Sequence, residues 1–187
     1  HWPETMVTYD NTDKTLFSAD AFGSFGAING NIYADSVDFS SEYLPEARRY
    51  YTNIVGKYGA QTQKLLEKAS ALDIRMICPL HGLIWRENLS SIIKKYELWS
   101  SYSPEIDGVL IVYGSVYGNT ALACDILASR LAEAGVKNIK VTDASKTDKS
   151  YILADIYQPI HTKLISKHSK IIPPMCFTHR HRYTSLC

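Results

Sequence analysis

The plainest chemistry in this sequence lies in one short run, Tyr113-Gly114-Ser115-Val116-Tyr117-Gly118-Asn119-Thr120. A continuously apolar stretch, Gly108 to Tyr113, precedes it, and a helical pattern follows from Ala121. A strand, a loop of glycine and hydroxyl residues and a helix start aim backbone N–H groups and a positive dipole end at one spot, which suits an anion. Ser115 and Thr120 can add hydroxyl donors, each worth about 1.5 to 3 kcal/mol to a charged partner. The helix dipole adds only about 0.3 to 1 kcal/mol, so the number of donors sets affinity. The run lacks the Gly-Lys-Ser/Thr ending that carries a lysine to a β/γ-phosphate, and it lacks G-x-G-x-x-G, so ATP, GTP and NAD are disfavoured. A single terminal phosphate held by neutral donors fits, as on a mononucleotide such as FMN. The alternative is a strand-to-helix turn with a Ser/Thr cap and no ligand.

Three other residues have metal-ligating side chains beside unusual backbone. Asp20 opens the glycine-rich run Asp20-Ala21-Phe22-Gly23-Ser24-Phe25-Gly26, His81 lies in Pro79-Leu80-His81-Gly82, and His1 is the first residue. Taken singly, each has a plain reading: a turn-forming aspartate, a strand-end histidine and a frayed terminus. Four more histidines fall in residues 158–187, but His179-Arg180-His181 places adjacent ligands beside two arginines (Arg180 and Arg182), which suits no standard metal site.

These residues need elements to hold them, and the chain divides into three blocks. In residues 1–102, β-like runs at Met6–Tyr9 and Leu16–Ser18 precede the glycine-rich loop. Tyr43, Ala47, Tyr50, Tyr51, Ile54, Val55 and Tyr58 recur at helical spacing and predict an amphipathic helix over Glu42–Lys57. A second helix is expected over Gln61–Ala71, a β-branched strand over Ile74–Cys78 and a helix over Ser90–Trp99. Ser103-Pro104-Glu105 reads as a linker to residues 107–157. There, Gly108–Tyr113 reads as a central parallel strand buried on both faces. Leu122, Ile126, Leu127 and Leu131 mark one stripe of a helix over Ala121–Ala134, Gly135 ends it, and Asn138–Thr142 alternates as the next strand. Alternating strands and helices predict an α/β fold with a βαβ unit of the doubly wound kind.

Composition excludes several classes. The 187 residues are 45% hydrophobic and 21% charged, as in a globular protein, and no apolar run approaches the roughly 20 residues of a membrane span. The start has neither a signal-peptide pattern nor an initiator Met, so a fragment or processed chain is expected. Four irregularly spaced cysteines are expected as free thiols in a cytoplasmic protein. The formal charge of +1 hides an asymmetry, because residues 158–187 hold five Lys/Arg and no Asp or Glu. No basic patch alternates with aromatics, so no nucleic-acid partner is expected.

The run Tyr113–Thr120 resembles the FMN phosphate loop of flavodoxin-like domains, in the S-x-Y-G-x-T form of flavodiiron proteins (A-type flavoproteins). His1-Trp2-Pro3-Glu4-Thr5-Met6, Phe17-Ser18-Ala19-Asp20-Ala21-Phe22-Gly23 and Pro79-Leu80-His81-Gly82-Leu83-Ile84-Trp85-Arg86 resemble three successive motifs of that family's metallo-β-lactamase-like diiron domain. They occur in order, with ligand positions 19 and 61 residues apart. The resemblance covers residues 1–157 and implies the C-terminal part of a metallo-β-lactamase-like αββα sandwich over 1–102. The N-terminal part of a flavodoxin-like doubly wound parallel sheet would follow over 107–157. Residues 158–187 are expected as an atypical basic tail, with a shifted reading frame as one origin, although Ile172-Pro173-Pro174-Met175 still resembles a family segment.

By resemblance, Ser115, Val116, Tyr117, Gly118, Asn119 and Thr120 hold FMN, and His1, Asp20 and His81 ligate two non-haem irons, with Asp20 bridging. An imidazole and a bridging carboxylate suit iron. The H-x-E-x-D segment that supplies further ligands in the family is absent, so weak iron binding by this chain is expected. The implied activity passes electrons from FMN to a diiron centre that reduces O2 to water or NO to N2O. A rubredoxin-like donor and a head-to-tail homodimer accompany it. Two rivals stand beside this reading: a flavodoxin-type FMN-binding electron-transfer module, and an inactive truncated product.

Overall fold

The computed structural model describes residues 6–156 and the backbone of 159–165. Strands β1 (Thr8–Asp10) and β2 (Thr15–Ala19) form a hairpin whose turn is set locally, the Asp10 carboxylate accepting the Thr12 N–H at 2.7 Å. β3 (Met76–Pro79) then returns parallel to β2, with Leu16 opposite Ile77 and Ala19 opposite Pro79, giving the order β1-β2-β3. All of β2 except Phe17 is buried, so this strand lies against the core along its length.

The chain between β2 and β3 is helical, and here the expected single helix over 42–57 is corrected. The structure has α1 (Phe39–Glu42), α2 (Leu44–Tyr50), a π-helical turn over Tyr51–Val55, a 3-10 turn over Gly56–Tyr58, and α3 (Gly59–Ser70). Pro45 has no N–H to continue a helix from α1 and sits in the first turn of α2, where none is needed. The wide turn keeps Tyr51 and Val55 both fully buried. Tyr51 packs with Tyr96 and Trp99 of α4 (Leu89–Ser100) at ring separations of 5.0 and 5.2 Å. With Leu16, Phe22, Ile77, Leu83, Trp85 and Ile92 they form the core of this layer. Fully burying a side chain of this size contributes about 1.5 to 3 kcal/mol, so the aromatic face of the helical segment decides its path.

In the second sheet, β4 (Ile106–Tyr113) lies between β5 (Ile139–Asp143) and β6 (Pro159–Ile165), all parallel. Gly108–Val112 is buried, as expected of a central strand. The connections are α5 (Asn119–Glu133) and α6 (Lys149–Ile156), the latter not anticipated from the sequence. The expected stripe on α5 is also corrected. Leu127 and Leu131 pack on the core with Cys124 and Ala128, while Leu122 and Ile126 are more than half exposed. The packed face follows i, i+3, i+4, i+7 from Cys124, a phase that Leu122 and Ile126 do not share. Part of the stretch expected as an atypical tail, residues 159–165, joins this sheet through its backbone; the remainder of 158–187 lies outside the described residues.

Glu105, expected in a linker, is buried, its carboxylate held by Arg48, Lys95 and Trp99. Cys78 and Cys124 are free thiols, and Cys176 and Cys187 lie outside the described residues. No helix among the described residues is long and apolar enough to cross a membrane.

Candidate functional site

Because β2 and β3 are parallel neighbours, the residues after each leave the same end of the sheet. Asp20 follows β2 directly and His81 follows β3 by two residues, so positions 61 apart in sequence meet, with His81 Nε2 3.7 Å from Asp20 Oδ1. The backbone joins the two loops: Leu80 N donates to Ala19 O at 2.9 Å, and Ser24 N to His81 O at 3.3 Å. Ala19 and Phe22 have left-handed φ values of +52° and +66°, each costing about 1 to 2 kcal/mol in a non-glycine residue. That conformation turns Asp20 out of the strand while Phe22 packs on Tyr96 at 4.5 Å and Ser18 Oγ donates to Ala21 O at 2.7 Å.

The Asp20 carboxylate is largely buried and the His81 ring is mostly exposed. Tyr50 Oη donates to Asp20 Oδ1 at 3.1 Å, and its ring lies 5.7 Å from that of His81 and 5.0 Å from Phe25. Burial, and then the negative charge of Asp20, push ionisation of Tyr50 well above the usual tyrosine range, so it stays a protonated donor. The sequence reading placed Tyr50 on a packing face of a helix and missed this contact. Its signal, an aromatic in a helical repeat, is the same as that of Tyr51, which packs in the core. Ser24, also missed, presents a buried hydroxyl with no hydrogen-bond partner among the described residues.

Asp20 and His81 are the right types for an iron site, but two donors do not fill the coordination of two irons. Among the described residues no group of three or more His, Cys, Asp or Glu side chains is placed to hold a metal, and His1 lies outside the described residues.

The second feature lies at the carboxyl end of β4. Residues 114–118 form an open loop in which Val116 and Tyr117 are exposed, and α5 begins at Asn119. Gly118 stands at the N-cap with φ +83°, and no side chain caps the helix. Among the described residues the first N–H groups of α5 therefore have no side-chain cap, contrary to the Ser/Thr-cap alternative. The loop is open at Gly114 and Gly118, where an added Cβ would meet nothing within 4 Å among the described residues. Backbone donors without a side-chain cap among the described residues, a dipole end, open space and the neighbouring Ser115 and Thr120 fit a phosphate group.

Fold and sequence together define an α/β protein whose first sheet is of the metallo-β-lactamase-like kind. A family model described as ODP family beta lactamase matches residues 1–82. The anaerobic nitric oxide reductase flavorubredoxin of Vibrio vulnificus is 37% identical over 161 residues, covering 84% of this chain and 32% of the relative. The flavodiiron protein of Giardia intestinalis superimposes with a TM-score of 0.78 at 31% identity, over 84% of this chain and 38% of the other. Rubredoxin oxygen:oxidoreductase from Desulfovibrio gigas does so with a TM-score of 0.79 at 27% identity, over 88% and 41%. Across this span the chain is similar to flavodiiron proteins, and it spans about a third of the length of the curated relatives it matches.

Proposed function

We propose that this chain is part of a flavodiiron oxidoreductase, with residues 1–102 contributing to the diiron domain and 107–157 opening a flavodoxin-like FMN domain. In such an enzyme FMN supplies electrons and a non-haem diiron centre reduces O2 to water or NO to N2O. The observation that carries the reading is the meeting of Asp20 and His81 at 3.7 Å, which brings the second and third motifs together across two parallel strands. The names of the relatives support the substrate class, since one is an anaerobic nitric oxide reductase flavorubredoxin and another a rubredoxin oxygen:oxidoreductase. A rubredoxin-like donor, a head-to-tail homodimer and a cytoplasmic location belong to the same proposal.

Within it, the chain's own residues have distinct tasks. Backbone N–H groups at 118–120, with Ser115 and Thr120, take the FMN phosphate, and Val116, Tyr117 and Asn119 border it. Asp20 and His81, together with His1, would hold iron, and Tyr50 keeps a proton on Oη beside Asp20 Oδ1. The described donors do not fill a diiron site, so the 187-residue chain is expected to bind iron weakly and to lack turnover without further ligands.

The test is a titration of the full chain with FMN, followed by flavin fluorescence, and a parallel titration with Fe(II) under anaerobic conditions. Weak FMN binding that Ser115→Ala and Thr120→Val both reduce, with iron binding that Asp20→Asn and His81→Ala both reduce, supports the proposal. Flavin binding without any iron binding favours the electron-transfer module instead. Binding of neither favours the inactive truncated product, and FMN binding indifferent to both loop substitutions overturns the assignment of the loop in this chain.

A further inference from the structure

Three consecutive residues at the end of α2 point to three different parts of the molecule. Tyr50 reaches Asp20, as described above. Arg48 reaches Glu105, immediately before β4, and Arg49 reaches across to α6. The Glu105 carboxylate, 3% exposed, is saturated with donors. Its Oε1 accepts from Arg48 Nε and from Trp99 Nε1 at 2.8 Å, and its Oε2 from Arg48 Nη2 at 3.2 Å and from Lys95 Nζ. An ionised carboxylate offers about four acceptor positions, and all are used here. The guanidinium of Arg49 lies 4.3 Å from the ring centre of Phe25 and 5.0 Å from that of Tyr151 on α6. Glu46 fixes that guanidinium and also accepts from Tyr151 Oη at 3.4 Å.

Between these two points the layers stand apart. A cleft of about 500 Å3 opens there, bordered by Pro45 and Arg48 on one side and Lys140, Thr142, Tyr151 and Asp155 on the other. Beside the cleft α6 packs on α2 and on the π-helical turn, and the polar and aromatic contacts of Arg48, Arg49 and Glu46 are the ones that tie the two sides with fixed geometry.

We propose that Glu105 and Tyr151 are positioning residues, the two ends of a clamp that runs through Arg48 and Arg49 and holds the loop-bearing sheet in one orientation against the layer of Asp20 and His81. The functional meaning of that orientation rests on the reading under Proposed function. Because α2 also holds Asp20 through Tyr50, one helical turn serves both the candidate metal-binding carboxylate and the element that carries the anion loop. Glu105 fixes the entry to β4, and Tyr151 fixes rotation about that entry.

The test attaches a donor and an acceptor fluorophore through non-natural amino acids at Lys64 on α3 and Lys137 before β5, both exposed. The interlabel distance is then read by single-molecule energy transfer in the chain without FMN or iron. Expected are one narrow distance in the parent chain, loss of that single distance in Glu105→Gln, and a broadened one in Tyr151→Ala. Far-UV circular dichroism is expected to stay unchanged in both. Hydrogen exchange at residues 101–106 should rise about tenfold in Glu105→Gln while β2 and β5 keep their protection. An unchanged narrow distance in Tyr151→Ala overturns the clamp, even should Glu105→Gln fail to fold, because the Tyr151 side chain is nearly half exposed and does not hold the core. Uniform loss of protection throughout Glu105→Gln, with no change of distance in Tyr151→Ala, would make Glu105 a core element only. The outcome does not depend on cofactor binding, so a failed FMN titration beside an intact clamp would refute the functional reading alone.

Discussion

The pair Asp20–His81 and the loop 114–118 are built by opposite means. The pair comes from segments 61 residues apart, joined by parallel pairing of β2 with β3 and braced by left-handed backbone, a buried tyrosine and an aromatic core. The loop comes from one continuous segment, lies in solvent and offers mainly backbone N–H groups. Two glycines show the contrast, since Gly82 and Gly118 share almost the same φ, +84° and +83°. An added Cβ at Gly82 would lie 2.2 Å from Ser24 Oγ and 2.9 Å from Ser24 N, whereas at Gly118 it would meet nothing within 4 Å. A site assembled from distant segments tolerates little change of shape, and a site made of local backbone tolerates much.

The sharpest test of that contrast is Gly82→Ala. A left-handed alanine combined with a clash against buried backbone should cost about 2 to 5 kcal/mol, read as a lower midpoint of chemical denaturation. A loss no greater than that of Gly118→Ala would remove the distinction.

Acid should act next, at the contact that joins the two regions. Burial raises the pKa of Glu105, but hydrogen bonds from Arg48, Lys95 and Trp99 and the charge of Arg48 outweigh it and hold the group below the usual glutamate range. Its folded value is lowered, so the stability it confers is complete above the ordinary glutamate pKa of about 4.3 and is lost as pH falls through the folded value. A pH series of denaturation midpoints should show that acid loss in the parent chain, and Glu105→Gln should lack this component.

In the loop, Ser115→Ala and Thr120→Val should each weaken FMN binding by about 1.5 to 3 kcal/mol while leaving the denaturation midpoint within about 0.5 kcal/mol of the parent. A shift in stability as large as the shift in affinity would show that the hydroxyls are structural. The smallest effect belongs to Gly118→Ala, about 1 kcal/mol of stability from φ alone.

How far the sequence could be read follows the same division. Periodicity located β1 to β5 and the helices α3, α4 and α5 to within a few residues, because each is a local pattern of buried and exposed positions. It failed over 42–57, where aromatic spacing looked like one helix. Pro45 and the burial of Tyr51 and Val55 against α4 break that segment into four parts. It also joined Leu122 and Ile126 to the packed face of α5, since in a helix this apolar the stripe that packs is chosen by the sheet beneath. Of the candidate site, the anion loop was legible as a strand, a glycine-hydroxyl run and a helix start. Asp20 and His81 were legible as motifs, but Tyr50 and Glu105 were read as a packing aromatic and a linker residue.

From the order of residues alone came the α/β class, the anion loop and the identities of two metal-type ligands, because these depend on neighbours a few positions apart. Only the tertiary structure decided that Asp20 and His81 face each other, that Tyr50 donates to Asp20, and that Glu105 is buried among two cations and an indole. Each of those contacts joins residues whose own neighbours favour no partner. It forms because packing of α2 and α4 on the sheet removes water and leaves these polar groups to satisfy one another.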